Sequence, residues 1–332
     1  MHFESYPQCD DSDARPQVTS IASTFDAKAA NLRQAPTHFV DHTATLATIL
    51  FVARRDGHAR GSTAGRKTDQ RPRTKARPPV NAEQALSRRR AKRLQPEDYL
   101  DRAMRAATPR TRGNWARRGL ATDGDINNDT QAMLLRQLYL SHYTQRQFQL
   151  AYAVALQATE LAVLPDVIHQ DCARAKQALG DIDGAAAHLR LAARLGPASR
   201  RAFHHWTLGS MLYLAERGEE AISALKRAVR WGSTDKPLYR GQLALAKLAM
   251  GTHVRGGKRL MAELQGCPAG QGYGRFVLGQ LAFHLGMRNE ARQHLNAFIE
   301  RTRKGRPAMR VALEPEVLAA ETSLSVLDEA TL

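Results

Sequence analysis

Few residues in this 332-residue chain stand at spacings that chemistry requires. Gly61–Thr68 (GSTAGRKT) approaches a phosphate-cradling loop, GxxxxGK(S/T), but its glycines are one residue too close and Arg66 stands at the second glycine position. The segment also follows charged coil, where such a loop needs a preceding strand. Asp123–Asp129 (DGDINND) approaches a calcium loop, yet its sixth position is Asn128 and its twelfth Leu134, where glycine and glutamate are needed. A loop ending in a helix N-cap explains it better. His169 with Cys172, and His204 with His205, could each supply two metal ligands, but no third or fourth ligand can be named. Three cysteines exclude a disulfide scaffold. No nucleophile elbow, paired catalytic carboxylates or reactive-cysteine context is found. The sequence therefore reads as non-enzymatic, with no cofactor and no metal.

The remaining chemistry is charge. The chain carries a formal +17, with 49 Lys+Arg against 32 Asp+Glu. Residues 54–118 hold 20 basic and 6 acidic groups, a net +14, so the imbalance belongs to one arm. Within it Ser87–Arg93 (SRRRAKR) presents Arg88, Arg89, Arg90, Lys92 and Arg93. On a helix these could neutralise phosphates and give weak, salt-dependent, non-specific nucleic-acid binding. The competing reading is a solvated basic linker. No run of 18 apolar residues exists, so no membrane span is expected, and the N-terminus lacks the order of a secretory signal. A cytoplasmic location is the expectation.

Residues 1–80 lack apolar periodicity, and their prolines, glycines and charges predict disorder, basic from residue 54. The excess of arginine over lysine also leaves open a later translation start, for example at Met104. Residues 81–128 read as short basic helices and linker. Asn81 would cap the first of them, and Pro96, Glu97 and Asp98 suit the first turn of the second. From residue 129 the pattern becomes helix after helix. Four segments align on small residues Ala173, Gly209, Ala244 and Gly279, which are 36, 35 and 35 residues apart. Twelve positions on stand Ala185, Ala221, Gly256 and Ala291, and four beyond those Leu189, Leu225, Leu260 and Leu295. A weaker copy begins near Asp129, with Tyr139, Ala151, Ala155 and Ala158 at matching offsets. Small residues let paired helices approach, the leucine is expected to fill the space between hairpins, and Gly180, Gly251 and Gly286 stand where a left-handed C-cap is needed.

Over residues 132–305 this pattern resembles the tetratricopeptide repeat (TPR) family. The resemblance implies an all-α, right-handed α-solenoid of about five helical hairpins, at about 129–165, 166–201, 202–236, 237–271 and 272–307. Residues 308–332 read as a C-terminal helix capping the open end. On the TPR frame the first helices would line a concave groove with Arg136, Leu140, Tyr143, Arg174, Gln177, Phe203, Trp206, Ser210, Tyr213, Leu245, Leu248, Phe276, Gln280 and Phe283. Such a groove suits a peptide with apolar anchors and an acidic end. The competing reading is that several of these side chains pack between helices. Family members that clamp a C-terminal carboxylate carry asparagine where this chain has Arg174, Ser210, Leu245 and Gln280, so that use is not expected. The reading is a protein–protein interaction scaffold of undetermined oligomeric state; alternatives are a nucleic-acid-associated protein docking through residues 54–118 and a TPR-type secretion chaperone.

Overall fold

A computed structural model describes residues 94–233 and 235–329, and these form helices and short connections with no strand among them. α1 (Pro96–Arg105) and α2 (Pro109–Leu120) each place proline in the first turn, where its missing N–H has no helical partner to lose. A capping box starts α1, with the Gln95 N–H donating to Asp98 Oδ2 at 2.9 Å. Five hairpins follow: α3 (Asn128–Thr144) with α4 (Phe148–Thr159), α5 (Pro165–Ala178) with α6 (Ile182–Leu195), and α7 (Ala198–Leu214) with α8 (Gly218–Trp231). The last two are α9 (Lys236–Ala249) with α10 (Gly257–Gln265), and α11 (Gly274–His284) with α12 (Arg288–Arg303). α13 (Pro307–Ala312) and α14 (Glu314–Glu329) complete the described chain. Each hairpin packs on the next, a continuous helix-on-helix array consistent with an α-solenoid.

One turn device closes all five hairpins. Arg146, Gly180, Glu216, Gly251 and Gly286 have positive φ, between 59° and 79°. The following N–H reaches back five residues, from Gln147 to His142, Asp181 to Lys176, Arg217 to Leu212, Thr252 to Lys247 and Met287 to Ala282, at 2.9 to 3.0 Å. This Schellman closure satisfies carbonyls that the ending helix leaves free. Two of the five positions are not glycine, which costs about 1–2 kcal/mol each in backbone strain.

The small residues let the paired helices approach, but the leucine lies within each hairpin and not between hairpins as expected. A Cβ on Gly209 would stand 2.4 Å from Leu225 Cγ, and one on Gly279 2.5 Å from Leu295 Cδ2, so the paired helices meet through those leucines. Hairpin four departs from the rule. Gly256 has φ 73° and precedes a helix of only nine residues, so the first turn of the second helix is missing. Leu260 is then only half-buried, and Leu264 takes the fully buried place expected of it.

Of the short basic helices expected in residues 81–128, one starts at the Pro96 turn read from the sequence, and α1 and α2 pack together and onto α3. Small residues make that possible: Ala103, Gly113, Ala116 and Gly119 are buried, and Ser141 Oγ donates to the Pro109 carbonyl at 2.6 Å. Trp115 lies 5.0 Å from both Arg102 and Arg118. The C-terminal segment, expected as one helix over an open end, is two helices. α14 does pack on α11 and α12, but it also reaches α7, while α13 packs on α3 at the other end of the array. Val311 and Ala312 lie against the cluster of Tyr139, Leu140 and Tyr143, and Arg146 grips Glu314 through two bonds of 2.9 Å.

Candidate functional site

The first helices α3, α5, α7, α9 and α11 carry the residues expected to line a groove, and α13–α14 lies against that side. Arg136 on α3 and Asp171 on α5 are 35 residues apart, one repeat period, and meet at 2.8 Å. Both are buried, at 7% and 1% exposure. The Arg136 charge is thus answered internally and is not offered to a ligand, a correction to its expected role. Tyr143 is buried between Tyr139 and Phe148, with ring centroids 5.6 and 5.5 Å away, and burial pushes its hydroxyl up to about 12. Arg174, half-buried on α5, faces Tyr139, Tyr143 and Glu316.

Further along, Trp206 and Phe276 are 3% and 0% exposed, so neither is an open groove residue. Trp206 packs edge-on to Tyr273 at 5.0 Å and beside Phe203 at 5.6 Å; Phe276 meets Tyr273 at 5.7 Å and Phe298 at 5.4 Å. Aromatic rings this large stabilise most when fully covered, and Tyr239, Phe298 and Tyr273 in the turn before α11 contribute to that cover. Ser210 is buried beside Tyr273. Gln280 is buried too, and its Nε2 donates to Ser323 Oγ at 3.0 Å and to the Ala319 carbonyl at 3.3 Å on α14. Phe203, Tyr213, Leu248 and Phe283 are partly buried against the same core, and burial holds the Tyr213 hydroxyl up at about 12. Leu140 and Leu245 are buried, whereas Gln177 is half-buried. The expected groove side is therefore an occupied interior.

The occupant brings its own acid. Glu316 is buried, and the Tyr273 hydroxyl donates to its Oε1 at 3.3 Å. Burial pushes its carboxyl up to about 7, against the pull of Tyr273 and Arg174. Tyr273, Glu316, Asp171 and Arg146 were not singled out from the sequence. Tyr273 sits in a glycine-rich connection that carries no helical period, and Glu316 reads as an ordinary first-turn acid. Asp171 did carry a signal, since its separation from Arg136 equals the repeat.

The basic-arm residues Arg88, Arg89, Arg90, Lys92 and Arg93 lie outside the described residues, as does the helix expected after Asn81. His169 and His188 meet Nδ1 to Nδ1 at 3.1 Å, and burial first, then Asp171, pushes the Cys172 thiol up to about 12. His204 Nε2 donates to Asp166 at 3.0 Å. Among the described residues no group of three His, Cys, Asp or Glu is placed to hold a metal ion, and no helix is long and apolar enough to cross a membrane. No family model matches the chain, and no curated protein matches it.

Proposed function

We propose that the chain is a cytoplasmic, non-enzymatic interaction scaffold: a right-handed TPR-type solenoid whose first-helix side receives an acidic amphipathic helix of a protein partner. One observation carries the reading. The side expected to take apolar anchors and an acidic end is filled by such a segment of the chain itself. α14 seats Ala320, Leu327 and partly Val317 and Leu324 on the core, and its leading acids Glu314 and Glu316 lie toward Arg146 and toward Arg174 with Tyr273. α13–α14 acts as a resident occupant that a partner of the same chemistry exchanges with.

The test cleaves the chain at a protease site introduced in the Lys304–Arg306 connection, so both pieces stay together. A labelled peptide of residues 306–332 should then exchange into the site, and a peptide with Glu314→Lys should compete about tenfold worse or more, as expected when the charge-assisted pair with Arg146 becomes a repulsion. Equal competition by a scrambled peptide of the same composition refutes the reading.

A further inference from the structure

Away from the first-helix side, α6, α8 and the start of α7 enclose an open cavity of about 700 Å³. That is a common size for a small-ligand site. Four arginines line it: Arg190 and Arg194 from α6, Arg201 from α7 and Arg227 from α8. Arg190 pairs with Glu220 at 3.2 Å, while Arg194, Arg201 and Arg227 have no carboxylate partner among the described residues. Arg194 and Arg227 are exposed and Arg201 half-buried, so an anion entering the cavity would meet guanidiniums with no carboxylate of their own. His205 and Trp231 also line it, with ring centroids 4.8 Å apart, and Arg201 lies 5.6 Å from the indole.

His205 separates this cavity from an ordinary basic surface. It is only 6% exposed, and its Nδ1 has no hydrogen-bond partner among the described residues. Burial first, then the neighbouring Arg227 and Arg201 guanidiniums, pushes it down to about 4, so at neutral pH it is an uncharged polar group against the cavity. Trp231, by contrast, is 44% exposed. A tryptophan left half in solvent beside guanidinium groups offers a stacking surface for a planar ring.

We propose that this cavity binds a nucleoside di- or triphosphate, its phosphoryl oxygens on Arg194, Arg201 and Arg227 and its base against Trp231. The ligand class follows from charge and shape. A single carboxylate answers one guanidinium, whereas a terminal phosphate carries about two charges and matches the planar fork of arginine.

The test titrates the full-length chain with ATP and, separately, with inorganic tripolyphosphate, reading heat and tryptophan emission. Trp206 is buried and Trp115 half-buried, so Trp231 should dominate the response. ATP is expected to bind saturably at one site and quench emission. Arg194→Ala with Arg227→Ala should weaken both ligands about tenfold or more, since it removes two charge-assisted contacts, with the melting temperature unchanged. Trp231→Ala should weaken ATP several-fold and leave tripolyphosphate unaffected. Absence of saturable binding, or full affinity in the double arginine variant, overturns the site. Indifference of ATP binding to Trp231→Ala overturns the assignment of a nucleotide.

Discussion

Arginine serves opposite purposes on the two sides of hairpins one to three. On the first-helix side Arg136 is buried against Asp171, and Arg200, at the start of α7, pairs with Asp166 at 2.8 Å. Those charges hold the array together and are spent. On the second-helix side Arg194, Arg201 and Arg227 converge on a hollow without carboxylates, close to the half-exposed Trp231. Those charges add little to the fold. Net charge alone would not distinguish the two sides; the distribution of acids does.

That contrast can be broken by experiment. Asp171→Ala leaves the Arg136 guanidinium buried without its counter-ion and is expected to cost about 3–5 kcal/mol in urea unfolding, with much of the loss recovered in the double variant Arg136→Met, Asp171→Leu. A cost below about 1 kcal/mol would mean that the inner pair is no more structural than a surface one. Glu316→Gln tests the inner side through pH. The Glu316 carboxyl stands at about 7 against an ordinary 4.5, so the folded protein holds its proton longer than the unfolded chain. The native state is therefore most favoured below about 4.5, and up to about 3 kcal/mol is lost as pH rises through 7. Denaturant midpoints of wild type and Glu316→Gln should nearly coincide at pH 4, with the variant the more stable at pH 8. The smallest effect belongs to the outer side. Arg227→Gln should change stability by no more than about 0.5 kcal/mol, as an exposed side chain without a partner would. A loss comparable with that of Asp171→Ala would erase the distinction.

The period was legible because its causes are local. Gly209 and Gly279 must be small to admit Leu225 and Leu295, and Gly180, Gly251 and Gly286 must turn left-handed. Arg146 and Glu216 make the same turn without glycine, so the first and third turns carry no mark in the sequence. α1 was marked by Pro96, Glu97 and Asp98, whereas α2 was not singled out, because it packs through Gly113, Ala116 and Gly119 and not through a large apolar stripe. The groove residues were assigned to the correct helices, yet Trp206, Phe276 and Gln280 are covered. Gln280 is covered by a segment from the far end of the chain, and helical periodicity contains no information on where such a segment docks.

The Arg146–Glu314 clasp joins positions 168 residues apart, and Val311 and Ala312 add apolar cover at the same place. An open stack of hairpins couples only nearest neighbours and can fray from either end, unit by unit. Here fraying at one terminus also strips contacts from the other, so terminal unfolding is penalised twice and the array should melt as a single cooperative unit. Closing so long a loop adds only about (3/2)RT ln n in entropy, a slowly growing cost that a few buried contacts can offset.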